Sequence, residues 1–447
     1  MKTTLEKLKQ KNCRPKRYAH FDQRVSLTTA WNYVTNPLRV KRHAFYPFIH
    51  YTKTIYKFDR HEGKRKPKER EIRYSAHMDR CIYQYYGYML NEKYCKRLKQ
   101  DGLSNAAIAY RSDLGKNNLH FANDAFLLIR QLGDCYIIVG DFKSFFDRLD
   151  HKYLKKRLKD LLGAPLPDDY YAVFKNITRY SSWKLDDLIT LNDLEDTKGK
   201  LKVLNNMRQV LPTAEFKKHA SAYSRPNRES FGIPQGSAIS AVLSNIYMLV
   251  FDKLLNEYVQ GHSGLYMRYC DDFIVVLPDN GRATFEGQLS FLRESIDKIP
   301  MLKLEQRKTQ IFRFNNRTLL NESQAFGQGE GNEPNILNYL GLAFNGEKIS
   351  LSDRTVSKYY NRMGRKARTI IRQGGVSPKG KQITGNQLYL RYSHKGSRGY
   401  DYEKQRQRRN FLNYVQQAQE IFGPDEAVGL VGKRHMQKIS KRLRVIK

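Results

Sequence analysis

Residues 265–278 read LYMRYCDDFIVVLP. Two short apolar runs flank an adjacent pair of carboxylates, Asp271 and Asp272. Apolar runs of this length around a polar pair predict a β-hairpin with the acids at or beside its turn. Taken by itself, the pair reads more readily as an exposed turn than as a site, because Asp is a common turn residue. A second stretch changes the weighing. Residues 135–139, CYIIV, are a short apolar run rich in β-branched residues, and they lead directly to Asp141. That pattern predicts a buried strand ending in an acid. A carboxylate inside an apolar β-run is unfavourable unless something compensates it. A divalent cation is the natural compensation, since Mg²⁺ takes carboxylate oxygens together with substrate phosphates. Two such ions, roughly 3.5–4 Å apart, activate a hydroxyl and stabilise a departing pyrophosphate. Adjacent aspartates on a strand point to opposite faces. A tight turn lets one face the ions while the other supports them.

The charge balance points the same way. The 447 residues carry 80 Lys and Arg against 44 Asp and Glu, formally +36. An excess of this size repels itself in the folded state, and a polyanionic partner is its usual reason. The five cysteines form no CxxC pair and lie near no His at zinc-ligand spacing, which fits a reducing compartment. The basic N-terminus lacks the apolar core of a secretory signal. No eighteen-residue apolar stretch exists to span a membrane. The expected location is the cytoplasm, with no membrane partner.

Outward from the acids, apolar spacing predicts helices over residues 78–94, 119–132 and 289–299. Residues 231–255, FGIPQGSAISAVLSNIYMLVFDKLL, predict a Gly/Pro turn and then one long apolar helix. Residues 149–228 look polar and mainly helical, with a loop near 186–200. Residues 308–314, KTQIFRF, and 337–344, LNYLGLAF, have strand character, and the Gly- and Asn-rich 321–335 between them predicts a loop. From Arg354 onward 23 Lys and Arg face 5 Asp and Glu, a balance of +18. This predicts a separate, basic, largely helical module with Gly-rich breaks at 374–385 and 395–400.

Several stretches together resemble the reverse transcriptases. Residues 137–147, IIVGDFKSFFD, are similar to their first metal-binding motif. Residues 231–240, FGIPQGSAIS, resemble their substrate-pocket motif, and Tyr269-Cys270-Asp271-Asp272 matches their Tyr-x-Asp-Asp box. The order and gaps suit the family. Flanking segments extend the likeness: REIRYSAHMDRCIYQ at 70–84 and AYRSDLGKNNLHFANDA at 109–125 resemble the finger motifs of bacterial members. LEQRKTQIF at 304–312 resembles the basic motif behind the active site, and LNYLGLAF the primer-grip hairpin. The resemblance spans residues 70–350. It implies an α+β right-hand polymerase with an N-terminal extension and fingers over 1–133. A palm over 134–350 would carry a finger-like insertion at 150–228, and a basic helical thumb would occupy 351–447.

By that resemblance Asp141, Asp271 and Asp272 hold two Mg²⁺ ions (Mn²⁺ as an alternative), Phe142 adds a backbone carbonyl, and Asp271 is the stronger direct ligand of its pair. Phe146 is an aromatic gate that excludes a ribose 2′-hydroxyl, a built-in clash against the wrong substrate. Of Phe145 and Phe146, strand alternation makes one a core residue. Arg111, Lys116 and Arg73 are expected on the nucleotide, Arg through its planar fork, with Lys64 and Lys66 as further candidates. Gln235, Gly236 and Tyr269 shape the pocket. Lys308, with Arg307 beside it, is expected to protonate or neutralise the departing pyrophosphate. Cys270 is a small packing residue. The implied reaction is cDNA synthesis from dNTPs on a bound RNA template. Among family members the long 148–230 segment and bare basic C-terminus look most like the antiphage-defence enzymes, whose type 2 systems use a structured noncoding RNA as template. Retron and group II intron-type enzymes, a template-free or RNA-synthesising polymerase, and a non-catalytic RNA-binding scaffold are the alternatives. Template, priming mechanism, and oligomeric state are not legible in the sequence.

Overall fold

The computed structural model describes residues 4–58, 63–111, 113–163, 165–197, 199–329, 331, 333–372, 374–376, 382–401 and 406–444. At its centre lies a five-stranded antiparallel sheet in the order Thr318–Asn321, Gln310–Asn315, Asp134–Asp141, Asp272–Pro278, Leu265–Tyr269. The two acid-bearing strands expected from the sequence are therefore neighbours. Their register sets Asp141 directly opposite Asp272 and Gly140 opposite Phe273.

Side-chain alternation then decides which way the acids point. Cys135, Ile137 and Val139 face one side of the sheet, with Ile274 and Val276 from the next strand. Tyr136 and Ile138 face the other, with Phe273, Val275 and Leu277. Asp141 and Asp272 continue the first set by the period of two, so they share a face. The first face packs on helix Asn118–Leu132, on a three-stranded sheet of Leu337–Tyr339, Leu342–Phe344 and Ile349–Leu351, and on helix Phe411–Phe422. The second packs on helices His77–Gln100, Ser240–Tyr247, Leu249–Gly261 and Arg282–Asp297. Helix Asn118–Leu132 has clear ends: the Asn117 side chain accepts from Leu119 N–H at 2.9 Å, and Gly133 leaves the helix at φ +74°.

A second, four-stranded sheet has the order Glu71–Tyr74, Phe48–Thr52, Ser181–Lys184, Arg225–Pro226. Phe48–Thr52 and Ser181–Lys184 run parallel, so the 150–228 insertion and the N-terminal region build one sheet. Trp183 and Leu188 bury a small core with Phe21 beneath it. A hairpin of Ile55–Phe58 and Arg65–Lys68 projects from the same region.

Most expected helices stand, with shifted ends: His77–Gln100 extends the first, and Arg282–Asp297 starts seven residues before 289. The long helix after the Gly/Pro turn is instead two, Ser240–Tyr247 and Leu249–Gly261, broken where Met248 N–H bonds Asn245 O. Arg65–Lys68, Glu71–Tyr74 and Ser181–Lys184 have basic and polar composition that hides them as strands, and Phe48–Thr52 and Ile55–Phe58 are too short for their apolar pattern to stand out. Residues 337–344 form the expected hairpin, turned by Leu340 and Gly341 at φ +47° and +89°, the primed geometry that suits a two-residue loop. The 186–200 loop begins with helix Leu185–Thr190. Part of the 374–385 break lies outside the described residues, and His394–Ser397 is a helical turn where a break was expected. The C-terminal module is not separate. Tyr359, Met363, Leu388 and Ile439 form its own small core, yet Val415, Ala418 and Val428 join the core of the central sheet. Among the described residues no helix is long and apolar enough to cross a membrane.

Gly140 makes the acid pair possible. A Cβ there would lie 2.3 Å and 2.4 Å from Phe273 Cζ and Cε1, and Phe273 is fully buried. Gly140→Ala is expected to cost about 1–3 kcal/mol in urea unfolding, the usual range for overpacking, with partial recovery in a Gly140→Ala, Phe273→Leu double variant. An unchanged midpoint would show that the ring has room to move.

Candidate active site

Tyr269 pairs with Asp272, so the hairpin loop is only Cys270 and Asp271. Cys270 has φ +64°. A non-glycine residue held there stores about 1–3 kcal/mol, tolerable only where its surroundings enforce it. Three contacts do so. Arg268 Nη1 donates to Cys270 O at 2.9 Å, Tyr110 Oη donates to Cys270 Sγ at 3.3 Å, and Phe142 N–H donates to Asp271 O at 3.1 Å. Burial pushes the Cys270 thiol up to about 12, so it stays protonated and acts as packing.

Arg268 is fully buried and forms a two-pronged ion pair with the equally buried Asp252, at 2.7 Å and 2.6 Å. Tyr266 Oη donates to the same carboxylate, and Asn245 Oδ1 accepts from Arg268. A buried pair is tolerated when its lone pairs and protons are saturated in this way. Asn245 in turn donates to Ala109 O, and the 106–108 segment bonds the edge of the hairpin through Arg268 N–H and O. The sequence held a signal for this support: Asp252 is an acid inside an apolar helix, the same anomaly that singled out Asp141.

The carboxylates converge at the end of the sheet. Lys308 Nζ lies 2.6 Å from Asp141 Oδ2, which separates Lys308 from its neighbour Arg307. Asp272 is pushed up to about 7, first by lost hydration, then by repulsion from Asp271 and Asp141, against the pull of Lys308 and Arg354. Phe142 N–H on Asp271 O at 3.1 Å sets the Phe142 peptide against the acid turn. Among the described residues no three His, Cys, Asp or Glu side chains are grouped so as to hold a metal ion by themselves, and the Lys308 ammonium lies on Asp141. This donor chemistry fits Mg²⁺, which binds through one or two carboxylates and completes its shell with water and phosphate.

Beside Asp272 a cleft of about 1260 Å³ is lined by Tyr269, Asp272, Lys66, Tyr339, Arg354 and Lys358, among others. The Lys358 ammonium is held below its usual range by burial, then by Arg362, Arg354, Arg70 and Lys53. Cations from both sides of the cleft therefore crowd one another, a footprint suited to phosphate.

A second group gathers at the Gly/Pro turn. Arg73 N–H donates to Gln235 O at 3.0 Å, and Gln235 Nε2 donates to Asp147 Oδ2 at 3.2 Å. A Cβ on Gly236, at φ +116°, would lie 2.5 Å from Arg73 O, so only glycine allows this approach. Phe146 is half-buried, and its carbonyl accepts Ile233 N–H at 3.0 Å. Phe145 is the core member of the pair, but both lie in the helical turn Phe145–Arg148 and not in a strand.

Two expected residues do not join. The Arg111 side chain is completely buried. It donates to Asp113 through Nε and Nη2, and to Ser104 O and Ala107 O through Nη1. A triphosphate cannot reach it; Arg111 braces the segment that carries Tyr110. Lys116 is bridged to Asp124 at 2.8 Å, beside helix Asn118–Leu132. Lys66 does line the cleft, whereas Lys64 does not.

A five-stranded antiparallel sheet presenting acids at one end, between a strand-rich region on one side and a basic helical one on the other, defines a right-hand nucleic-acid polymerase. The chain belongs to the reverse transcriptase (RNA-dependent DNA polymerase) family, whose model matches residues 67–344, more than half of its length. No curated protein matches it. Among solved structures it is similar to apo telomerase from Candida tropicalis truncated from the C-terminal domain, at 15% identity over 67% of this chain and 54% of that one, TM-score 0.38. The chain thus spans about half the length of that structure. It is also similar to telomerase from Candida albicans in complex with a fragment of telomeric RNA, at 14% identity over 99% of this chain and 68% of that one, TM-score 0.39.

The raised Asp272 sets a pH dependence. A carboxyl whose folded pKa lies above its unfolded value stabilises the fold while protonated, and that contribution is lost as pH rises from about 4 to about 7. Without divalent cation, Asp272→Asn is therefore expected to melt higher than the parent at about pH 8, with the gap closing towards about pH 4. Added Mg²⁺ should stabilise the parent more at the higher pH. A gap of constant size across that range would show that Asp272 does not carry the repulsion.

Proposed function

We propose that Asp141, Asp271 and Asp272 hold two Mg²⁺ ions and that the chain copies a stably bound, structured noncoding RNA into DNA, in bacterial antiphage defence. The observation that carries the first part is the register that places Asp141 opposite Asp272 on the cleft face, with Asp271 in the turn beside them. When bound, the two ions lower the barrier to attack by a primer 3′-hydroxyl and neutralise the leaving pyrophosphate. The protein's share is positioning and charge. The Phe142 carbonyl adds a ligand oxygen, and Tyr269 closes the edge of the acid turn. Lys308, held on Asp141, would be placed to neutralise or protonate the departing pyrophosphate. Gln235, Gly236 and Arg73 form the nucleotide pocket, and Phe146 excludes a ribose 2′-hydroxyl. Support for the bound RNA comes from the +18 balance after residue 353, and for the defence setting from the family likeness of the insertion and the basic C-terminus. The cytoplasm is the corresponding location.

Asp141→Ala and Asp271→Ala are each expected to lower primer extension by about 10³-fold or more while leaving the fold intact. Sequencing the RNA and DNA that copurify with the parent and with an Asp271→Ala, Asp272→Ala variant tests the rest. One discrete RNA in both, with complementary DNA only in the parent, is the expected result. Phage protection that survives in the double variant would make the protein a scaffold, and a heterogeneous RNA population would remove the dedicated template.

Phe146→Ala is expected to relax discrimination between dNTPs and NTPs by about 10- to 200-fold, the range of a steric pocket contact. Single-nucleotide incorporation measures it directly. Unchanged selectivity would assign Phe146 to packing alone.

A further inference from the structure

The insertion at 150–228 takes no part in the acid site, yet it reaches the nucleotide pocket at one point. Its strand Ser181–Lys184 sits between Phe48–Thr52 and Arg225–Pro226. Immediately before it, Tyr180 is fixed from two directions. Asn227 N–H donates to Tyr180 O at 2.7 Å, and Asn227 Nδ2 ties Thr178 O to Phe231 O at 3.0 Å and 3.2 Å. The Phe48 ring meets the Tyr180 ring edge-on, with centroids 5.9 Å apart and planes at 79°. The Arg73 guanidinium lies over the Tyr180 ring, its Cζ 5.3 Å from the centroid. That is within the range of a cation–π contact. The Arg73 backbone is meanwhile pinned to Gln235 and pressed against Gly236. Its Nε–H is buried and finds no acceptor among the described residues. A buried guanidinium N–H without a partner is costly, so the ring contact is what the structure offers to hold this end of the side chain in place.

We infer that Tyr180 is a positioning residue for nucleotide binding: its ring face holds the Arg73 guanidinium towards the pocket beside Gln235 and Gly236, so that the insertion serves to build one wall of the nucleotide site. A cation–π contact restrains the fork without using any of its donors, leaving them for the incoming dNTP. It also restrains only the guanidinium, so the effect belongs in nucleotide affinity and not in the chemical step. The inference rests on the proposed placement of Arg73 in the nucleotide pocket.

The test measures dNTP KM and kcat for the full chain with Mg²⁺ on an RNA template annealed to a DNA primer. The variants are Tyr180→Ala, Tyr180→Leu and Tyr180→Phe, each with Arg73 and with Arg73→Ala. Loss of the ring face should raise the dNTP KM by roughly 3- to 30-fold, from the usual worth of such contacts, with kcat within about twofold. Leu fills the space without a π face, so Tyr180→Leu should behave like Tyr180→Ala. Phe keeps the face and should restore the parent KM. In the Arg73→Ala background all three should be silent. Restoration by Leu, an equal effect with and without Arg73, or a loss confined to kcat would each overturn the inference. If Arg73→Ala alone leaves KM unchanged, the placement of Arg73 itself fails. If it raises KM while Tyr180→Leu does not, only the role of Tyr180 fails.

Discussion

Like charges brought together repel, and the centre of this protein is organised around tolerating that repulsion. Asp141, Asp271 and Asp272 meet at one end of a sheet whose interior is otherwise apolar. Each is placed by the backbone and not by its own contacts: the ladder sets Asp141 against Asp272, and Phe142 N–H fixes the peptide of Asp271. What remains is a residual field strong enough to lift Asp272 to about 7 and to draw the Lys308 ammonium onto Asp141. A cation would relieve a site strained in this way.

The cost of that arrangement is spread over layers behind the acids. The left-handed Cys270 is held by Arg268, Arg268 by Asp252, and the 106–111 segment by Arg268 and Asn245. Arg268 and Asp252 are fully buried behind the turn. They convert one energetically poor turn into a rigid one, as is expected where backbone strain sits at a functional position. Arg111 belongs to this support. Its sequence position suggested a hand on the triphosphate, but its fork is spent on Asp113 and two carbonyls inside the protein.

What was legible in the sequence followed the strength of the local pattern. The strand ending at Asp141 and the hairpin at 265–278 announced themselves because an acid in an apolar β-run has few explanations. The helices at 77–100 and 118–132 were legible from apolar spacing. The second sheet was not: Ser181–Lys184 and Glu71–Tyr74 are short and polar, and they are strands only because distant partners pair with them. Pairing between residues 48 and 184 leaves no local trace. The same reason hid Tyr180, whose significance lies wholly in the ring that Arg73 happens to meet. The split of the helix at Met248 was equally invisible, since apolar periodicity runs through it unbroken.

The path of the C-terminal region has a mechanical consequence. Helices Asp353–Arg372, Gly385–Tyr392 and His435–Arg444 form one small body, but the chain leaves it to lay Phe411–Phe422 and Val428 against the central sheet before returning. The body is thus suspended from the sheet at more than one point, after Ile349–Leu351 and again on either side of the docked helix. Several attachments constrain a body more than a single hinge does, so the Arg354 and Lys358 side chains that it contributes to the cleft are held in place relative to Asp272 by the same packing that anchors Val415 and Ala418.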